Sequence, residues 1–389
     1  MSKRKIAYIS QTVLLDCDLP LLYELSKNAT VDYFLVVTSG SNQGTLVDMT
    51  LKEQGGIFCA TEYPELKHLS RWLDLKHVFI VNKPVNHFWE WINFAIAWKG
   101  LQLFKKQNYD IIHLTWPLRY CSFVLYLLRK RMIITMHDPI PHSSQMSIKN
   151  RFERYWCIRL VPDFILLNKV QKALFMKEYG IRESRVHLSR LSIYTHLLES
   201  ASTTSVCSDP YILFVGSIRS HKGIEYLCEA MEPITNDLPD MHVIIAGKGN
   251  FYFDISRYEK NPHYMFINRY ITNEELVTLI SNSIAVVCPY IDATQSGVIM
   301  SAFALNKPVI ATNVGALPEM VEDGRYGFLV PPKDSKALEK AIRQIIKPGI
   351  AQQLSENIAH DYSAGNHAWH SIASEMQGIY ETIIHKRRK

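Results

Sequence analysis

The chain has 389 residues, 47% of them hydrophobic and 21% charged, with seven cysteines and a formal net charge of +6. That length exceeds one ordinary core and points to two domains. The longest apolar runs, such as 121–128, fall far short of the roughly 18 residues that span a bilayer, and an odd cysteine count with no CxxC pair argues against a disulfide framework or a zinc site.

The first residues, Met-Ser-Lys-Arg-Lys-Ile-Ala-Tyr-Ile-Ser, have a basic end and a short apolar run. The run is broken by Gln11 and reaches Asp16 and Asp18 with no small-residue cleavage site, so a first β-strand over 5–9 is expected rather than a signal peptide. Further strands are predicted near 32–38, 110–115, 132–137 and 163–167. Residues 200–209 are polar and lead into Pro210, which reads as an interdomain linker. A second series of strands is predicted at 211–215, 241–246, 264–267, 284–289, 308–311 and 327–330. Strands alternating with helical stretches imply parallel sheets flanked by helices. The expected architecture is α/β, two Rossmann-like doubly wound parallel-sheet domains facing a central cleft. Residues 366–385, with Trp369, Ile372, Met376, Ile379, Tyr380 and Ile383, have the spacing of a helix with one apolar face. The expected divisions are an N-terminal domain 1–199, the linker 200–209, a C-terminal domain 210–365 and a last segment 366–389.

In the second half, the strand Tyr211–Val215 runs into a Gly turn with two cations, Arg219 and Lys222, between Gly216 and Gly223. A later strand runs into Asp-Ala-Thr-Gln-Ser-Gly-Val at 292–298 and then a helix. One cationic and one Gly-bearing strand-to-helix turn are a means of holding a diphosphate. The alternative for Arg219 and Lys222 is exposed loop charge. Free N–H groups at Thr294, Gln295, Ser296, Gly297 and Val298, with the helix dipole, favour the same anion. Cys288 reads as core.

The segments 214–223 (Phe-Val-Gly-Ser-Ile-Arg-Ser-His-Lys-Gly), 245–249 (Ile-Ala-Gly-Lys-Gly), 308–319 (Pro-Val-Ile-Ala-Thr-Asn-Val-Gly-Ala-Leu-Pro-Glu) and 324–332 occur in order. In this the chain resembles the retaining glycosyltransferases of family 4, which have the two-Rossmann-domain GT-B architecture. The resemblance is strong over roughly 210–335 and weaker before it. It implies sugar transfer from a nucleotide-diphosphate sugar with retention of configuration, usually without a metal, and a C-terminal helix that crosses back onto the N-terminal domain. It also implies catalytic roles for Arg219 and Lys222 on the diphosphate and for His137, where the family often has His-Asp, beside the transferred sugar. Gly247 and Gly249 correspond to the loop beside the nucleoside. Arg269, before Tyr270 and Ile271, lies where the family encloses the base; it either stacks on the base or is a plain surface charge.

The chain departs from the family at Arg269, where a Gly is common, and in three further places. Ser217 stands where an Arg is usual after the Gly, and Arg219 is the substitute. The two glutamates of the family motif fall on Ala293 and Ser301. Asp292 and Gln295 are the remaining candidates for sugar contacts, and Ser301 for the ribose. The N-terminal Gly-rich loop is replaced by Ser10–Asp18, in which Asp16 and Asp18 are candidates for acceptor contacts or a base, with an N-cap role for Asp18 as the alternative. His113 and Asp138, at strand ends, complete the acceptor-side candidates.

Residues 1–205 hold 26 Lys/Arg against 17 Asp/Glu, and the remainder 17 against 20. The basic half suits an anionic partner or is a solvated face. Phe88, Trp89, Trp91, Phe94, Trp98 and Phe104, interleaved with Lys99, Lys105 and Lys106, suit a helix on an anionic membrane or one packed on the sheet. The expectation is a cytoplasmic enzyme, peripheral at the inner membrane face, with a glycan or lipid-linked acceptor and no nucleic acid. A non-catalytic nucleotide-sugar binder, a partner subunit and a sugar-nucleotide epimerase are the alternatives.

Overall fold

The computed structural model describes residues 3–38, 41, 46–83, 91–137, 139, 148–200, 204 and 207–388. Asp138, Phe88, Trp89 and part of the 200–209 stretch lie outside these. The chain divides into two compact units. One runs to Leu191 and includes the segment from Trp369; the other is Ser192–Ala368. The boundary at 191/192 precedes the polar stretch that marked it in the sequence.

The first unit has eight strands: β1 (Arg4–Gln11), β2 (Ala29–Thr38), β3 (Gly56–Cys59), β4 (Val78–Lys83), β5 (Ile111–Leu114), β6 (Met132–Met136), β7 (Asp163–Leu166) and β8 (Val186–Leu188). Their order is β3-β4-β2-β1-β5-β6-β7-β8. All neighbours are parallel except β3 with β4, so the sheet is not purely parallel: its edge is antiparallel. β5, β6 and β7 are buried along their whole length. Strands covered on both faces are mostly apolar, here with His113, Thr135 and Asp163 as buried polar exceptions.

The helix Leu15–Ser26 packs against the last helix, Trp369–Arg388. The latter buries Ile372, Met376, Tyr380 and Ile383 at the i, i+4, i+8, i+11 spacing of one helical face. Its Arg387 guanidinium lies 3.2 Å from the Asp163 carboxylate.

The second unit has β9 (Tyr211–Val215), β10 (His242–Ala246), β11 (Tyr264–Ile267), β12 (Ala285–Cys288), β13 (Val309–Thr312) and β14 (Gly327–Val330), in the order β11-β10-β9-β12-β13-β14, all parallel. This is the doubly wound order in which the sheet grows outward in both directions from its first strand. The order reverses between β9 and β12, and ligands of such sheets sit outside the carboxyl ends of the strands at that reversal. In the first unit the same reversal falls between β1 and β5.

Candidate functional site

In the second unit, β9 and β12 end at the reversal, and their turns meet. A Cβ on Gly216 would lie 3.7 Å from Val298 Cγ2. The Ile291 N–H donates to the His221 carbonyl at 2.8 Å. The Lys222 ammonium sits 3.7 Å over the centre of the Tyr290 ring, and Tyr290 Oη lies 3.3 Å from Ser296 Oγ. Thr312 Oγ1 donates to the Tyr290 carbonyl at 2.6 Å, which ties the ring's backbone to β13. The cationic turn and the 292–298 turn therefore form one surface.

Backbone geometry makes this possible. Gly223 has φ +63°, and a Cβ there would lie 2.0 Å from the Pro289 carbonyl oxygen. Gly247 has φ +145°, and its Cβ would lie 1.8 Å from the Gly216 carbonyl oxygen. No side chain fits at either position. Ile218 and Gly249 form a parallel bridge, and the Ile218 N–H donates to the Lys248 carbonyl at 3.1 Å. The β9 and β10 turns are thus stacked backbone on backbone.

Two helices begin here. In the first, Ile224–Asp237, one N–H is taken: that of Ile224 donates to Tyr252 Oη at 2.9 Å, and that hydroxyl bonds Glu225. The second, Gly297–Ala304, has Ser296 at its N-cap with no side-chain capping bond. The second suits an anion, because its N-cap side chain, Ser296, makes no capping bond to the first-turn N–H groups. Arg219 and Lys222 stand just before the first helix, where Tyr252 takes one of the N–H groups of its opening turn.

Arg219 is exposed and Lys222 half-buried. Burial pulls the Lys222 ammonium below its usual range, and the neighbouring Arg219 pushes the same way while Cys288 opposes them. Such a cation gains by meeting an anion. The Cys288 thiol is raised by burial. Tyr290, Tyr252 and Tyr194 were not anticipated as site residues. A buried Tyr at a strand end reads as core, and no signal distinguished it. A Cβ on Gly297 would lie 2.9 Å from the Tyr194 hydroxyl.

The remaining expected residues fall as follows. Ser217 and Gly297 are exposed, and Asp292, also exposed, flanks half-buried Thr294 and Gln295. Ser301 is buried and donates to the Gly297 carbonyl at 3.1 Å, a bond that occupies its hydrogen and leaves its lone pairs. Arg269 grips Glu275 with two bonds of 2.8 and 2.6 Å, beside half-buried Ile271. The guanidinium thus holds a carboxylate that also caps the helix Asn273–Asn282, which favours the plain surface reading over stacking on a base.

In the first unit, a cavity of about 210 Å³ lies at the β1/β5 reversal. Its walls include Ile9, Phe34, Val81, Phe104, Leu114 and Leu118, with Ser10, Gln11, Thr12, Lys83, Trp116 and Arg119 as the polar and amphipathic part. Asp16, Asp18 and His113 do not line it. Asp18 is inside the helix Leu15–Ser26 and buried, so it is not an N-cap; Leu14 is. Its carboxyl accepts from Tyr8 at 2.9 Å and Tyr33 at 3.2 Å, and burial raises it from 3.8 to about 7. His113 is fully buried, 2.5 Å from Tyr380 Oη and 2.7 Å from Thr135 Oγ1. Burial, with the nearby His137, lowers it from 6.5 to about 3. Strand-end position suggested that His113 faced a ligand; instead it carries the contact with the terminal helix. His137 is half-buried, directly after β6.

On the helix Trp91–Gln107, Ile96, Ala97, Leu101 and Phe104 are buried, while Trp91, Phe94 and Trp98 are 87%, 47% and 55% exposed. Among the described residues no helix is long and apolar enough to cross a membrane.

The family described as "Glycosyl transferases group 1" matches residues 209–348. Alpha-D-kanosaminyltransferase of Streptomyces kanamyceticus is 26% identical over 178 residues, 45% of this chain and 46% of that protein. An uncharacterized glycosyltransferase of Methanocaldococcus jannaschii is 23% identical over 319 residues, 80% of this chain and 86% of that one. The matched region spans about half the length of the first curated relatives. Among solved structures, sucrose-phosphate synthase of Thermosynechococcus elongatus has a TM-score of 0.65 at 19% identity, covering 99% of this chain and 100% of that one. HepE of Anabaena, solved in complex with UDP, has a TM-score of 0.65 at 16% identity, covering 97% and 100%. These likenesses show the fold: two Rossmann-like halves shared with GT-B glycosyltransferases. The residues that build the six-stranded sheet and its β9/β12 crevice are those that match the glycosyl transferases group 1 family.

Proposed function

We propose that the protein is a retaining glycosyltransferase that moves a sugar from a nucleotide-diphosphate sugar to a saccharide or lipid-linked acceptor, in the synthesis of a surface polysaccharide or related glycan. One observation carries this reading: Lys222 and the amino end of the helix Gly297–Ala304 are joined through Tyr290 at the β9/β12 reversal. A diphosphate there meets one ammonium, the Arg219 guanidinium and the 296–298 backbone, which stabilise charge as it develops on the leaving group. The group 1 match over these residues and the UDP-glucose complex of Anabaena HepE support a sugar nucleotide as donor. No metal is assigned to the transfer, since the cations present supply the charge.

The acceptor is assigned to the first unit, in the cavity beside β1 and β5, with His137, directly after β6, as that unit's candidate catalytic residue. The apolar walls favour an acceptor with a hydrocarbon part. The exposed Trp91, Phe94 and Trp98 favour peripheral attachment at the inner face of a membrane. The acceptor oxygen attacks the anomeric carbon on the leaving-group side; the C–O bond to the diphosphate breaks, and its proton passes to a phosphate oxygen. No protein nucleophile is required.

Two measurements test the reading. A melting-point screen against UDP-, GDP-, ADP- and TDP-sugars should raise the transition with one nucleotide class. Release of that nucleoside diphosphate in the presence of acceptor should follow. Binding without release would leave a sugar-nucleotide binder and overturn transfer.

A further inference from the structure

At the opposite end of the six-stranded sheet, the starts of three adjacent strands bring together side chains with no part in the reading above. β10 begins at His242, whose N–H donates to the Pro210 carbonyl at 3.0 Å. That bond sets His242 beside Asp209 and, two residues earlier, Cys207. The Cys207 thiol, an Asp209 oxygen and a His242 ring nitrogen all lie within 4.8 Å of one another. On the other side of β10, the Val243 N–H donates to the His263 carbonyl at 2.9 Å. This holds the His263 ring 5.2 Å, centre to centre, from that of His242.

Two details favour an ion over a chance cluster. His242 Nδ1 lies 3.1 Å from the Asp240 carbonyl, an arrangement that fixes the tautomer of a metal-bound histidine and leaves Nε2 as ligand. His263 Nδ1 is buried with no hydrogen-bond partner, and a buried nitrogen of this kind is costly unless something meets it. The gathered donors, one thiolate, one carboxylate and one imidazole, with the His263 imidazole beside them, are soft to borderline. They suit zinc and not calcium or magnesium, which take oxygen ligands. Tetrahedral zinc holds its ligands about 3.5 Å apart, given Zn–S near 2.3 Å and Zn–N near 2.0 Å. Cys207, Asp209 and His242, already within 4.8 Å of one another, close by about one ångström of side-chain rotation; His263, outside that trio but with its ring 5.2 Å from that of His242, must swing in as the fourth ligand.

We infer that Cys207, Asp209, His242 and His263 form a structural zinc site that pins the segment entering β9 to the starts of β10 and β11. The site lies at the amino ends of strands whose carboxyl ends carry Gly216 and Gly247. It is therefore about 15 Å from the diphosphate turns, at roughly 3.3 Å per strand residue, and takes no part in transfer. Zinc displaces a proton from the Cys207 thiol and binds the resulting thiolate, with the histidines neutral.

Cobalt(II) titrated into the metal-free, full-length protein tests this. Expected are one ion per chain, a thiolate-to-cobalt charge-transfer band and the strong visible absorption of tetrahedral cobalt. Zinc should abolish both and raise the melting point. Cys207→Ser should lose the charge-transfer band, and His242→Ala and His263→Ala should each weaken binding at least tenfold. The site is overturned if the wild-type protein shows no such band, if Cys207→Ser keeps it, or if either histidine variant binds cobalt as tightly as wild type. Melting of the variants in EDTA, expected to match that of metal-free wild type, separates loss of the ion from loss of the fold.

Discussion

Lys222 is one ammonium held between a buried aromatic ring and its own desolvation. A ring beneath a desolvated cation offsets about 2 kcal/mol, so the two effects are comparable and the side chain stays in place to meet an anion. Lys222→Ala and Arg219→Ala should each lower kcat/KM by about a hundredfold, the usual effect of removing one stabiliser of developing charge, with little change in melting point. Unchanged turnover in both would remove the diphosphate from this turn. Tyr290 separates ring from hydroxyl. Tyr290→Phe keeps the surface under the ammonium and should cost at most about 1 kcal/mol of stability. Tyr290→Leu should lose at least about 2 kcal/mol and also weaken the melting-point rise given by the donor. Similar donor affinity in the Phe and Leu variants would show that the ring does not position Lys222. The placement of the two cations on the turn after β9 was legible in the sequence, because the Gly-flanked charges follow directly on an apolar strand. Tyr290 was not, since its role depends on a contact across 68 residues of chain.

Between elements, two kinds of closeness decide what can change. At the β9 and β10 turns, backbone touches backbone. Gly247→Ala drives a methyl into the Gly216 carbonyl 1.8 Å away, and with no flexible side chain to yield it should cost about 3 kcal/mol or more. A melting point within a degree or two of wild type would show that the turn relaxes freely. Between β1, β5 and the helices Leu15–Ser26 and Trp369–Arg388, buried polar groups meet instead. Asp18 has a folded value of about 7 against an ordinary 3.8. Folded protein therefore holds a proton that unfolded protein releases between those values, and stability falls as pH rises from about 4 to 7. His113 has a folded value of about 3 against 6.5. Here the unfolded protein takes the proton, and stability falls as pH drops from about 6.5 to 3. The two slopes oppose each other over roughly pH 4–6.5. His113→Gln should remove one and expose the other, so that its denaturation midpoint declines with rising pH more steeply than that of wild type. Parallel profiles would show that the pair does not titrate in this way. Position along the strand was legible for His113, but side chains alternate between the two faces of a sheet, and the covered face could be known only once the last helix was placed.

For the whole molecule, the repeating strand-and-helix pattern carried the architecture. Continuous apolar runs marked β1, β2, β5, β6, β7 and the six strands of the second unit. β3 and β8 escaped notice because four and three residues make too short a run, and β4 because its apolar stretch ends in Asn82 and Lys83. The zinc ligands were invisible as a motif, because no two of them share a spacing that signals a metal; register between strand starts brings them together. The proposed attachment to a membrane is tested at this scale also. Vesicles containing anionic lipid should sediment the protein at low salt, with release as salt screens the lysines, and replacing Trp91, Phe94 and Trp98 together with Ser should abolish it. Indifference of the intact protein to such vesicles would confine it to solution.

The helix Trp369–Arg388 belongs to the first unit although it follows all of the second in sequence. During translation, at 5–20 residues per second, the roughly 200 residues from Ser192 onward take on the order of 10–40 s to emerge. Throughout that time the nascent first unit lacks the hydroxyl of Tyr380 and the apolar face around it, and His113 has Thr135 but not Tyr380. The second unit, contiguous from Ser192 to Ala368, is free to mature ahead of the one that began before it. The ribosome-bound chain is therefore the form most in need of a chaperone, and trimming the final helix should recreate that vulnerability in a finished molecule.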